Sequence, residues 1–143
     1  MHKFYKSLLI VWGCLCLGAG LWCGWRLSHQ KPHYLSIAAI MKNEKPYLKE
    51  WLEYHRLVGV EHFYLCDNDS TDGTKEYLAP YIKQGIITYI ELPGENKQLV
   101  CYDKIVREYK DQTTWLALID LDEFLVPLKA KNMPQFLKEF KDA

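Results

Sequence analysis

The sequence has no excess of charge of either sign and no regular pattern of metal-binding side chains. Its 18 lysines and arginines balance its 18 aspartates and glutamates, so nothing indicates the basic surface of a nucleic-acid-binding protein. The five cysteines and five histidines are scattered without the spacing of a zinc site. Because an odd cysteine count argues against a full set of disulfides, we interpret the cysteines as small apolar residues and expect Cys66 and Cys101 to be isolated.

One long apolar segment is present near the N terminus. Residues 7–25 are 19 residues without a charge, and a helix of that length spans roughly 28 Å, close to the hydrocarbon thickness of a bilayer. A cleaved signal peptide and a buried hydrophobic helix are the alternatives to a membrane anchor. We predict a tail over 1–6, a single-pass signal-anchor over 7–27 and a linker over 28–33. Positive charges flank both ends, so the side of the membrane stays open.

Beyond the linker, short apolar runs alternate with helical patterns. The apolar runs predict strands over 34–41, 62–67, 86–92 and 115–120. The segments between them predict helices over 46–57, 75–85 and 97–110. The periodicity places Leu57 on the buried stripe of the first helix, and Leu99 and Val106 on that of the third. Pro80 is expected to end or bend the second helix. The order β-α-β-α-β-α-β predicts an α/β domain with a mostly parallel sheet covered by helices on both faces.

Polar residues collect after three of the predicted strands. They are Lys42 to Glu44 after the first strand, Asp67 to Asp72 after the second and Asp120 to Glu123 after the fourth. In open parallel sheets, ligands bind beyond the carboxyl ends of the strands, where the strand order reverses. We therefore expect the three clusters to converge in space.

The sequence Asp120-Leu121-Asp122 ends the fourth predicted strand with two carboxylates. In an extended segment the two aspartates share one face while Leu121 points inward. Two carboxylates on one face suit Mg²⁺ or Mn²⁺, which keeps several waters and is often completed by substrate phosphates. Alternatively, the aspartates cap the following turn or pair with lysines such as Lys129 and Lys131.

The loop "DNDSTDGT" over 67–74 has two interpretations. Ser70 or Asp72 could cap the next helix while Gly73 eases the turn. The same short polar side chains could hold the base and ribose of a nucleotide. A calcium loop is not favoured, because no glutamate closes a twelve-residue EF-hand from Asp67.

Two stretches together resemble a known family. "AIMKNEKPYLKEWLEYHRLVGVEHFYLCDNDSTDGT" (39–74) and "ALIDLDEFL" (117–125) look like the nucleotide-binding, N-terminal half of a GT-A glycosyltransferase. Within that class the sequence resembles the family 2-like group and family 92. The resemblance covers Leu35 to about Pro127 and implies a Rossmann-like GT-A domain, apparently truncated, over 34–143.

The resemblance also implies roles for particular residues. Asp120 and Asp122 match the Asp-x-Asp element, whose first carboxylate contacts the donor ribose or the metal's water shell and whose second ligates Mn²⁺ or Mg²⁺. Residues at the other strand ends match donor- or nucleotide-binding positions: Lys42, Asn43, Glu44, Asp67, Asn68, Asp69 and Asp72. Glu53 and His55 match a helix motif, but two residues so spaced do not share a narrow helical stripe, which favours a structural role.

The function implied is transfer of a sugar from a nucleotide-sugar to an acceptor hydroxyl of a carbohydrate, lipid or protein. Only 20 residues follow Glu123, and similar proteins place the general base and most of the acceptor site further along the chain. We therefore expect a glycosyltransferase fragment without its base. The alternatives are a nucleotide-sugar binding protein without transfer activity and a membrane-tethered α/β interaction module.

Overall fold

The computed structural model describes residues 32–141. The predicted tail, membrane-spanning segment and most of the linker lie outside these residues. Within 32–141, none of the helices combines the length and the apolar character needed to cross a bilayer.

The described residues alternate strands and helices in the predicted order. The elements are β1 (His33–Met41), α1 (Lys45–Leu57), β2 (His62–Asp67), α2 (Thr74–Lys83), β3 (Ile87–Glu91), α3 (Gln98–Tyr109), β4 (Thr113–Leu118) and α4 (Met133–Leu137). Short 3₁₀ turns follow α3 and α4. The α/β prediction is confirmed. The described residues after Glu123 contain no strand; they include α4, which begins after Asn132, and the 3₁₀ turn that follows it.

All four strands are parallel and lie in the order β3-β2-β1-β4. The chain builds β1, β2 and β3 in one direction and then returns to place β4 on the other side of β1. Ala38 in β1 therefore pairs with Tyr64 in β2 on one side and with Leu118 in β4 on the other. The strand order reverses between β1 and β4, which is where a doubly wound sheet opens a crevice for ligands.

Apolar side chains cover both faces of the sheet, as a parallel sheet requires. On one face, Leu48, Trp51 and Leu52 of α1 and Leu78 of α2 are fully buried against the strands. On the other face, Cys101 and Ile105 of α3 pack on residues that include Ala38, Tyr64 and Ile90. The helices thereby fix the strand ends that carry the polar clusters.

Three predicted core positions are wrong. Leu57 is 83% exposed, and His55 is the fully buried side chain near the end of α1. Leu99 is 80% exposed and Val106 is 41% exposed, because α3 turns the neighbouring stripe of Cys101 and Ile105 toward the sheet. Since apolar residues occupy both stripes of α3, periodicity alone did not determine which stripe packs inward.

The expectations for Pro80 and for the two cysteines are also corrected. α2 continues to Lys83 with Pro80 inside it; the proline is exposed, and it removes only one N–H donor close to the helix end. Cys66 in β2 and Cys101 in α3 form a disulfide with their Cα atoms 6.1 Å apart. The 35-residue separation gave no local signal, and the pairing follows from the packing of α3 on the sheet.

Candidate functional site

A cleft opens at the point where the strand order reverses between β1 and β4. Its volume is about 570 Å³, and its lining residues are Ile40, Glu44, Tyr47, Glu50, Asp120, Leu121, Asp122 and Phe124. Four of these side chains are acidic and two are aromatic. A cleft of this charge attracts cations and repels anions that arrive without a counterion.

Asp120 and Asp122 lie in a turn rather than in the predicted extended segment. β4 ends at Leu118, and the Glu123 N–H donates to the Asp120 carbonyl over 3.2 Å. The Glu123 side chain accepts from the Asp120 N–H over 3.1 Å. Glu123 thus closes the turn, Leu121 is buried, and both aspartates still line the same cleft.

The carboxylate of Asp120 is held by α3. Its Oδ1 accepts hydrogen bonds from Gln98 Nε2 over 2.9 Å and from the Tyr102 hydroxyl over 3.2 Å. Burial raises the pKa of Tyr102, and the neighbouring Asp120 carboxylate raises it further, so the phenol stays a donor. Neither donor was predicted from the sequence, although the two residues lie four apart on a predicted helix.

Asp122 is more weakly constrained than Asp120. Among the residues described, its carboxylate accepts no hydrogen bond, and no ion pair joins it or Asp120 to Lys129 or Lys131. The lysine-pairing alternative is therefore not observed, and Glu123 closes the turn. Asp122 keeps both carboxylate oxygens available to a ligand.

The carboxylates of Asp120 and Asp122 fit a hard divalent ion only if other ligands complete its coordination. Over residues 32–141, no three histidine, cysteine or acidic side chains come together as a self-sufficient metal site would need. Mg²⁺ and Mn²⁺ are often held by one or two carboxylates with waters and substrate phosphates. The free oxygens of Asp120 and Asp122 suit such a partial site.

The loops after β1 and β2 are joined by hydrogen bonds. The Asn43 N–H donates to Ser70 Oγ over 2.9 Å, and Asn43 Oδ1 accepts from the Thr71 N–H over 2.7 Å. Asn43 adopts a positive φ of 59°, a conformation that asparagine tolerates better than most residues. This contact brings the first two predicted clusters together.

Asp72 joins the first turn of α1 to the start of α2. Its Oδ2 accepts from the Lys45 N–H over 3.0 Å, and its Oδ1 accepts from the Thr74 hydroxyl over 2.6 Å and from the Thr74 N–H over 3.1 Å. These donors, the Thr74 hydroxyl first, lower the pKa of Asp72. Asp72 therefore supports the loop. The N-cap residue of α2 is Gly73, and no side chain caps the helix, so the prediction that Ser70 or Asp72 is the cap is wrong.

Hydrogen bonds join the start of the loop after β2 to β3 and to the loop that follows β3. Asp67 accepts from the Ser70 N–H over 2.9 Å and from the Tyr89 hydroxyl. Asn68 Nδ2 donates to the carbonyls of Leu92 and Gly94, and Asp69 Oδ2 accepts from the Gly94 N–H over 3.0 Å. The loops after β2 and β3 are thereby fixed relative to each other.

The three predicted clusters converge only in part. Glu44 shares the cleft with Asp120 and Asp122. Asp67, Asp69 and residues 70–71 instead line a second cavity of about 380 Å³, where the Lys75–Glu91 ion pair also lies. Lys42 is exposed and makes no hydrogen bond within the described part of the chain.

The two residues of the predicted helix motif have different surroundings. Glu53 is exposed and accepts hydrogen bonds from Arg56 and from the Tyr81 hydroxyl, each over 3.2 Å. His55 is fully buried beneath the loop that carries the two aspartates. Neither side chain lines the cleft.

Comparison with known proteins identifies one family. The model of glycosyltransferase family 92 matches residues 31–143. A family 92 protein of Oryza sativa subsp. japonica is 28% identical over 103 residues, which are 71% of this chain and 17% of the relative. A family 92 protein of Arabidopsis thaliana is 28% identical over 64% of this chain and 16% of its own length. One of Ricinus communis is 30% identical over 68% of this chain and 18% of its own length. The chain thus spans about a sixth of the length of these relatives.

Proposed function

The chain belongs to glycosyltransferase family 92, and from that premise we propose that it supplies the donor-binding part of a glycosyltransferase. In the proposed reaction a sugar passes from a nucleotide-sugar to an acceptor hydroxyl of a carbohydrate, lipid or protein. The observation that carries the proposal is the acidic cleft at the reversal of strand order, with Asp120 and Asp122 at its edge. Open α/β sheets bind nucleotides at such positions.

Three loops at the carboxyl ends of the strands have separate tasks in this proposal. The turn after β4 presents Asp120 and Asp122 toward the donor diphosphate. The interlocked loops after β1 and β2, with Asn43, Asn68 and Asp69, hold the base and ribose. The hydrogen bonds between these loops keep their conformation fixed before the donor arrives, which reduces the entropy lost on binding.

The charge of the cleft supports a requirement for a divalent ion. Four carboxylates would repel a nucleoside diphosphate, and the described lining residues include no lysine or arginine to offset them. When bound by Asp120 and Asp122, Mn²⁺ or Mg²⁺ would act as a Lewis acid and neutralise charge on the departing diphosphate. Gln98 and Tyr102 orient Asp120 for this role from α3.

The N-terminal segment adds a proposal about location. Residues 7–25 carry no charge over a length that spans a bilayer as a helix. We propose that residues 7–27 anchor the chain as a single membrane-spanning helix. The test is to introduce glycosylation sites before residue 7 and after residue 32. A membrane-spanning helix places only one of the two sites on the side of the membrane where glycosylation occurs.

The experiment for the donor site is calorimetric titration of the full chain, kept in detergent, with UDP and GDP in the presence and absence of Mn²⁺. We expect binding only with Mn²⁺, and loss of binding in an Asp120→Ala/Asp122→Ala variant. Asp111→Ala is the matched control, since Asp111 is an exposed aspartate in the 3₁₀ turn before β4. Failure of the folded wild-type chain to bind either nucleotide would refute the proposal.

A further inference from the structure

Three side chains of α1 bind the backbone of the loop that follows the two aspartates. Trp51 Nε1 donates to the Glu123 carbonyl over 3.0 Å, and the Tyr54 hydroxyl donates to the Leu125 carbonyl over 3.2 Å. The Leu125 N–H donates to His55 Nε2 over 3.2 Å. Both backbone polar groups of Leu125 are therefore satisfied by adjacent residues of one helix.

The contacts of His55 define its protonation state. A backbone N–H only donates, so Nε2 must offer its lone pair to Leu125, and the neutral ring carries its proton on Nδ1. That proton has an acceptor, because the Trp51 carbonyl lies 2.8 Å from Nδ1. Burial lowers the pKa of His55, which keeps the ring neutral. The imidazole therefore serves as a fixed acceptor for the loop.

Ring packing reinforces these hydrogen bonds. Phe124 stacks on His55 with centroids 5.5 Å apart and an interplanar angle of 12°. Its edge meets Tyr54 with centroids 5.1 Å apart. Phe124 also lines the cleft, so the same ring contacts the α1 side chains and forms part of the cleft wall.

The turn with the aspartates is thus held from both faces of the sheet. α3 binds the Asp120 carboxylate through Gln98 and Tyr102, and α1 binds the chain from Glu123 onward. Asp122 lies between these two fixed points. A side chain with free oxygens is well placed for a ligand when packed helices hold the residues on both sides of it.

We propose that Trp51, Tyr54 and His55 are positioning residues, which hold residues 120–125 so that Asp120 and Asp122 face the cleft. The coupling of α1 to the loop is a property of the fold alone. Its consequence for the ligand rests on the proposed function, namely that the two aspartates bind a nucleoside diphosphate with a divalent ion.

The test combines amide exchange with nucleotide binding in the full chain. His55→Leu keeps the apolar volume and removes the acceptor, whereas His55→Gln places an amide oxygen near the position of Nε2. Tyr54→Phe removes one hydroxyl only. Lys49→Ala is the matched control, because Lys49 is an exposed residue of the same helix.

We expect faster exchange of the Leu125 amide and its neighbours, with no change in the β2 amides. The increase should be about fivefold in Tyr54→Phe and at least tenfold in His55→Leu, which leaves a donor without a partner. The dissociation constant for UDP with Mn²⁺ should rise about tenfold in His55→Leu and recover to within about threefold of wild type in His55→Gln.

The two proposals fail in different ways. A wild-type chain that binds no nucleotide refutes the donor site, and amide exchange still decides the positioning role. Unchanged exchange of residues 119–126 in both Tyr54→Phe and His55→Leu overturns the positioning role, as does an equal increase in the loop and in β2. If His55→Leu does not fold, Tyr54→Phe alone decides the outcome: unchanged exchange of residues 119–126, or an equal increase in the loop and in β2, overturns the positioning role.

Discussion

Cys66 and Cys101 are joined by a disulfide that ties the end of β2 to the first turns of α3. Asp67 follows Cys66 directly and opens the loop after β2. On the other side, Gln98 and Tyr102 flank Cys101 and bind Asp120. The bridge therefore connects the strand that leads into one polar cluster to the helix that binds Asp120 of another.

We predict that reducing this bridge lowers the free energy of unfolding by roughly 2–4 kcal/mol, because the unfolded chain regains the freedom of a closed loop of 35 residues. The measurement is urea denaturation with and without a reductant. A variant with Cys14, Cys16 and Cys23 replaced by alanine isolates the effect. Rapid labelling of Cys66 and Cys101 by a thiol reagent in denaturant without reductant would contradict the bridge.

A second prediction concerns the free energy of unfolding at acid pH. His62 is buried, with Nδ1 3.0 Å from the Gly85 carbonyl and Nε2 2.8 Å from the Thr88 hydroxyl, and it stacks on His33. Burial above all, and also the charge of His33, lower the pKa of His62 to about 4. The unfolded chain therefore binds a proton that the folded chain does not, so stability is full above about pH 6.5 and falls as the pH drops toward 4.

We expect the free energy of unfolding to decrease by about 2 kcal/mol on this account between about pH 7.5 and pH 5. Chemical denaturation at both pH values measures the change. His62→Gln should remove most of this dependence, while His33→Gln, the matched control, should retain most of it. An equal pH dependence in wild type and His62→Gln would show that another group is responsible.

The sequence predicted elements best where a pattern had only one interpretation. β2 is observed over the predicted residues 62–67, because a short apolar run between polar loops fits a buried strand and little else. α3 was placed correctly but with the wrong face inward. Leu99, Val100 and Cys101 are consecutive, so only the contact with the sheet decides which of them is buried.

The candidate site was predictable to the extent that it depends on topology. Parallel strands end at one edge, so polar residues at strand ends were expected near one another, and Glu44, Asp120 and Asp122 do share a cleft. The contacts that fix these residues come from elsewhere in the chain. The polar atoms of Trp51 and Tyr102 reach the aspartate turn only after the helices pack on the sheet.

A third prediction compares two glycines with positive φ. Gly59 follows α1 with a φ of 103°, and a Cβ there would lie 2.6 Å from Cδ of Pro134 in α4. Gly85 has a φ of 73° and nothing within 4 Å of such a Cβ. Gly85→Ala should cost only the backbone strain, about 1–2 kcal/mol. Gly59→Ala should cost roughly 2–4 kcal/mol, because α4 must also shift.

Urea denaturation of the two glycine variants measures this difference directly. The Met133 N–H donates to the Val58 carbonyl over 2.8 Å, so displacement of α4 should also speed exchange of that amide in Gly59→Ala alone. Equal destabilisation by the two substitutions would mean that α4 does not pack against Gly59.

The last prediction concerns the donors that hold Asp120. Gln98 and Tyr102 both bind its Oδ1, and among the described residues Oδ2 accepts no hydrogen bond. Under the proposed function, Gln98→Ala and Tyr102→Phe should each weaken Mn²⁺ binding in the presence of UDP by roughly tenfold, since partners behind a metal ligand typically contribute that much to affinity. Calorimetric titration of Mn²⁺ into the full chain with UDP gives the affinity. Leu99→Ala is the matched control, because Leu99 is 80% exposed between the two donors. Wild-type affinity in both donor variants would mean that the orientation of Asp120 does not depend on α3.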